Sequence, residues 1–64
     1  MGNSVELMKK GDRSLLLVTW EYGKKEFVVC SGYDATREFG NQWYWGHYFG
    51  DNLIAAVDYI KEVK

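Results

Sequence analysis

The run SLLLVTWEY (Ser14–Tyr22), the dipeptide GK (Gly23–Lys24) and the run KEFVVCSGY (Lys25–Tyr33) together decide the fold. Both longer runs are rich in β-branched and aromatic residues, the side chains that suit a pleated surface. Gly23 at the first central position of a two-residue loop predicts a type II′ hairpin turn, because glycine tolerates positive φ. That loop sets Tyr22 opposite Lys25, Trp20 opposite Phe27, Val18 opposite Val29 and Leu16 opposite Ser31. One face then carries Leu16, Val18, Trp20, Phe27 and Val29; the other, with Leu15, Leu17, Thr19, Val28 and Cys30, is also apolar. The hairpin is therefore expected at the centre of the fold, covered on both sides. Its register sets Glu21 against Glu26, at a cost of roughly a few tenths of a kcal/mol.

On the C-terminal side, DATREFGN (Asp34–Asn41) reads as a turn-rich loop and QWYWGHYF (Gln42–Phe49) as a further strand. Alternation separates Trp43, Trp45, His47 and Phe49 from Gln42, Tyr44, Gly46 and Tyr48. The first set is the more apolar and is expected to face the core, with the tyrosines outward. Gly46 in mid-strand predicts a bulge or the close approach of a backbone or a ring. Gly50-Asp51 ends the strand, and Asp51 suits an N-cap. Leu53, Ala56, Val57, Ile60 and Val63 then recur at helical spacing, with Ile54 and Tyr59 widening the stripe and Lys61 and Lys64 complementing the dipole of the last turn. This predicts a helix over 52–63 that packs Leu53, Val57 and Ile60 on the sheet. On the N-terminal side, Val5 and Leu7 alternate with Glu6, which predicts a short strand over 4–9, although the spacing of Val5 and Met8 also allows a helical turn. The expectation is one α+β domain over residues 1–64: a three-stranded antiparallel meander of 14–22, 25–33 and 42–49, four-stranded if 4–9 joins it, packed against one C-terminal helix.

At 64 residues the chain lies near the lower limit for unaided folding. Small domains compensate with disulfides, a metal, oligomerisation or dense apolar packing. Cys30 and His47 are the one cysteine and one histidine, so neither an internal disulfide nor a four-ligand Cys/His zinc site is available. Three Trp, five Tyr and three Phe remain as compensation. A net charge of −1 argues against a generic nucleic-acid binder, and no apolar run reaches the length of a membrane span. A lone cysteine without a recognisable leader predicts a cytoplasmic protein.

No pattern of reactive residues predicts catalysis or a cofactor. Cys30 and His47 on neighbouring strands suggest a nucleophile–base pair at most, and a cysteine inside FVVCS reads more simply as a small buried hydrophobe. Asp58 with Glu62, and Asp34 with Glu38, read as solvated faces and turn chemistry. The feature that stands out is aromatic: five of the seven residues from Trp43 to Phe49 are rings if His47 and Gly46 are set aside. Tyr and Trp are enriched at protein interfaces. A protein-contact surface of Tyr33, Arg37, Trp43, Tyr44 and Tyr48 is therefore expected, with Arg37 at its rim. The alternatives are single-stranded nucleic acid stacked on the same rings, which the scarcity of interleaved cations disfavours, and a homodimer that pairs the aromatic surface with its own copy.

Gly32-Tyr33-Asp34, Trp43, Trp45 and Gly46-His47-Tyr48-Phe49, followed by an alanine-containing helix, resemble a GYD…W…GHYF pattern. The pattern belongs to short uncharacterised proteins of phages and mobile elements of Gram-positive bacteria. The resemblance spans roughly residues 26–60 and carries over no residue role. It implies a context in which small proteins bind and modify a host or element protein, antagonists of restriction or CRISPR defence among them.

Overall fold

The computed structural model describes residues 2–62. Four strands, β1 (Asn3–Lys10), β2 (Arg13–Thr19), β3 (Lys25–Ser31) and β4 (Trp45–Tyr48), form one antiparallel sheet in sequence order, and the helix α1 (Leu53–Lys61) follows. The α+β meander is four-stranded, and the short first strand is real. No described helix is long and apolar enough to cross a membrane.

The central hairpin differs from expectation in register. Val18 pairs with Glu26 and Leu16 with Val28, a slip of three residues from the pairing that a two-residue loop would impose. The connection is instead a wider loop, closed by Trp20 N–H donating to the Lys24 carbonyl at 2.7 Å and Gly23 N–H donating to the Trp20 carbonyl at 2.8 Å. The Trp20 indole N–H also donates to the Glu26 carboxylate at 2.6 Å. This arrangement removes the Glu21–Glu26 opposition. An odd slip exchanges the faces of one strand relative to the other, so the two apolar faces are reassorted and both remain apolar. Leu15 and Val29 face the helix, while Leu16, Val18, Val28 and Cys30 face away from it, all of them buried.

The helix covers the first face. Ala56 and Ile60 are fully buried against Leu15 and Val29, with Val57 and Tyr59 at the margins. Leu53 is 42% exposed and Ile54 77%, so the packed stripe is narrower than the spacing predicts. The N-cap is Asn52 rather than Asp51: its side chain accepts from Ala55 N–H at 3.0 Å. The helix ends at Lys61, whose carbonyl accepts from the Lys10 ammonium of β1. Val63 and Lys64 lie outside the described residues.

In β1 the register shifts between Glu6 and Met8, leaving Leu7 as the extra residue of a bulge. Ser4 and Glu6 therefore face away from the helix, whereas Met8 turns towards it and packs on the Leu15 cluster. Val5 and Leu7, whose alternation predicts the strand, are its exposed apolar residues, at 54% and 47%.

Because both faces are core, truncation on either should cost the same kind of energy. Leu16→Ala and Ile60→Ala are each expected to lower the unfolding free energy by about 2–5 kcal/mol in urea titrations. A Leu16→Ala variant as stable as the parent would show that the helix-free face is not core.

Candidate functional site: an aromatic face opposite the helix

A second apolar face needs a cover, and the segment between β3 and β4 supplies it. Trp20, Tyr33, Phe39 and Trp43 lie partly buried over Leu16, Val18, Val28 and Cys30. The polar loop expected at 34–41 is thus a lid over core. Its fastening is Gln42, only 8% exposed. The Gln42 amide donates to the carbonyls of Ala35 (3.2 Å) and Arg37 (3.0 Å) and accepts from the Ser4 hydroxyl at 2.7 Å. Since Ser4 gives its proton to Gln42, the Tyr33 hydroxyl 2.8 Å away is the donor to Ser4. A local turn completes the loop: Thr36 donates from its hydroxyl (2.6 Å) and its amide (2.9 Å) to Asp34, holding that carboxyl below its usual range.

Arg37 is an organiser as much as a rim charge. Its guanidinium donates to the Gly32 carbonyl at 2.6 Å and lies 4.9 Å from the centre of the Tyr44 ring. Gly32, at φ +68°, has no side chain, and a Cβ there would overlap that ring. Tyr44 is thus seated between a glycine and a guanidinium while remaining 80% exposed. Further along the strand, Gly46 plays a related part. A Cβ on it would lie 2.9 Å from the Trp43 indole nitrogen and 3.3 Å from the Tyr48 ring, so the expected close approach is that of two rings. Folding back over Gly46 takes Trp43 out of the strand, and β4 runs over Trp45–Tyr48 rather than 42–49. Tyr48 is 49% exposed and stacks on Trp20 with ring centres 6.3 Å apart.

The five residues expected at the contact surface are all found on this side. Tyr44 and Tyr48 offer exposed rings, Arg37 braces one of them, and Tyr33 and Trp43 are mostly spent on the core beneath. Trp43 packs on the helix-free face, not on the helix side where alternation with Trp45 would put it. Sequence reasoning missed Trp20, because the wrong hairpin register hid its place beside Tyr48. Trp45 and His47 lie on the other face of β4, where His47 stacks on Tyr59 at 4.7 Å and Arg13 lies 4.7 Å from the Trp45 ring.

The suggested Cys30–His47 pair does not form. Cys30 is opposite Gly46 and His47 opposite Val29, so the sheet stands between the two side chains. Burial, and secondarily the Glu6 carboxylate, push the thiol from 9.0 up to about 11. A cleft of about 530 Å³ at the edge of the lid is lined by Ser4, Glu21, Glu38, Phe39 and Gln42. No known protein family, curated protein or solved structure matches the chain.

Two outcomes follow. Gln42→Ala leaves the half-buried Ala35 and Arg37 carbonyls without their amide donor and the Ser4 hydroxyl without its acceptor, and is expected to cost about 1–3 kcal/mol, read by chemical denaturation. Below pH 9 Cys30 is neutral folded and unfolded; between about 9 and 11 only the unfolded chain ionises, so this thiol makes stability fall with rising pH. Cys30→Ala should flatten that part of the pH–stability curve, and an unchanged slope would refute the assignment.

Proposed function

We propose that this protein is a non-enzymatic binding module that contacts another protein through the aromatic face carrying Tyr44 and Tyr48. The observation that carries the reading is the state of Tyr44, a ring 80% exposed yet fixed by Gly32 and Arg37. An exposed ring already held in place loses little conformational freedom on binding, which favours affinity. Tyr48 and Trp20 extend the same surface. The resemblance to small proteins of phages and mobile elements supports a host or element protein as the partner, and the single unpaired thiol fits a reducing cytoplasm.

The test compares the parent with a Tyr44→Ala/Tyr48→Ala variant in capture from a Gram-positive host lysate, followed by mass spectrometry. The variant is expected to keep its fold, with Tyr44→Ala alone costing less than about 1 kcal/mol, and to lose the captured protein. If the double variant is instead destabilised by about 3 kcal/mol or more, the rings are core and the reading fails. Capture of nucleic acid that weakens steeply with salt would replace it with single-strand binding.

A further inference from the structure

The side of the sheet that carries the lid is acidic, and most of its charge is already spent. Glu6 and Glu26 lie on this side, opposite Leu16 and Val18, and Asp34 stands in the lid. Glu6 accepts from the Ser14 hydroxyl, Glu26 from the Trp20 indole, and Asp34 from Thr36 with Arg37 beside it. Two further carboxylates, Glu21 and Glu38, are exposed and have no hydrogen-bond or ion-pair partner among the described residues. Those two line the cleft of about 530 Å³ at the edge of the lid. Its other walls include the half-buried Phe39, Ser4 and Gln42, and none of the residues lining it is basic. Phe39 is fixed where it stands. Its ring packs against the backbone of Gly2, where a Cβ would overlap it, and meets the Trp20 ring edge-on at 5.5 Å.

We propose that this cleft receives a cationic side chain, arginine or lysine, from the protein segment that binds the aromatic face. The proposal rests on the reading of that face as a protein-contact surface. Charge complementarity selects the occupant. An anion would meet two like charges and no counter-cation, whereas a guanidinium or ammonium meets two carboxylates that otherwise only repel each other. A metal ion fits less well, because no group of three or more His, Cys, Asp or Glu among the described residues could hold one. The Phe39 ring adds a second attraction for a cation. The cations on this side of the sheet are engaged or distant: Arg37 is held by the Gly32 carbonyl and the Tyr44 ring, and Lys9 stands at the far end of β1. Position ties the cleft to the contact surface. Phe39 touches Trp20, and Trp20 stacks on Tyr48 at 6.3 Å, so a segment lying over Tyr48 reaches the cleft along a continuous line of rings. The rings supply apolar contact area, and the cleft requires a positive charge at one position of the partner.

Two blocked tripeptides, N-acetyl-Gly-Arg-Gly amide and its citrulline counterpart, test the cleft by chemical-shift mapping on the isotope-labelled protein at millimolar peptide. Citrulline keeps the shape of arginine and lacks its charge. The arginine peptide is expected to move the amides of Glu21, Glu38, Phe39 and Gln42, with an affinity that falls as salt is added. The citrulline peptide is expected to leave them in place. Glu21→Gln/Glu38→Gln is expected to weaken the arginine peptide about fivefold, the effect of losing two exposed ion pairs, with an unchanged circular dichroism spectrum. Absence of shifts at these amides, equal shifts with citrulline, or binding indifferent to the double variant overturns the proposal. Shifts produced by putrescine but not by the peptide would make the cleft a site for free amines and overturn it as well. The lysate capture separates the two readings. A partner that depends on Tyr44 and Tyr48 but is still captured in full by Glu21→Gln/Glu38→Gln keeps the contact surface and overturns the role of the cleft.

Discussion

The side-chain amide of Gln42 holds this structure's second layer in place. A sheet with apolar residues on both faces needs two covers, and the described residues form one helix, of nine residues. The other cover is a loop without regular structure, and a loop lying on a core must satisfy its own backbone polar groups. Gln42 does so for Ala35 and Arg37, and through Ser4 it ties the lid to β1 on the far side of the sheet. Arg37 does the same for Gly32. Polar side chains turned inward thus let an irregular segment serve where an element of secondary structure would be usual.

This solution explains why aromatic rings reach the surface at all. Flat rings bury much area per residue, and Trp20, Tyr33, Phe39 and Trp43 seal the face that the lid crosses. Tyr44 and Tyr48 lie at the boundary, where the lid returns into the edge strand and coverage ends. Their exposure follows from topology: β4 is the last strand of the sheet, with no neighbour beyond it. The rings are ordered by what lies under them rather than by burial.

The strands of the central hairpin, the two-sided apolarity and the C-terminal helix were legible because each is written in local periodicity. What escaped was set by contacts between distant residues. Gly23 reads as the tip of a tight hairpin, yet Trp20 and Glu26 close a wider loop through an indole–carboxylate bond. Asp51 and Asn52 are both competent caps, and only the path out of β4 decides between them. The stretch DATREFGN looks like solvated loop because a single phenylalanine and a neighbouring glutamine give little hint of a lid. Of the exposed rings on this face, Tyr44 and Tyr48 are readable from the alternation of 42–49. Trp20 was not, since its place beside Tyr48 depends on the register that sequence reasoning misassigned.

The two glycines that seat rings have an evolutionary consequence. At Gly32 and Gly46 a β-carbon would crowd an aromatic neighbour, which must then shift, so a substitution at either position is felt by a ring. A lineage that replaces Gly32 must move the ring of Tyr44 off its seat, and one that replaces Gly46 must shift Trp43. In a set of descendants these pairs would change jointly, leaving a covariation signal between residues that look unrelated in any single sequence.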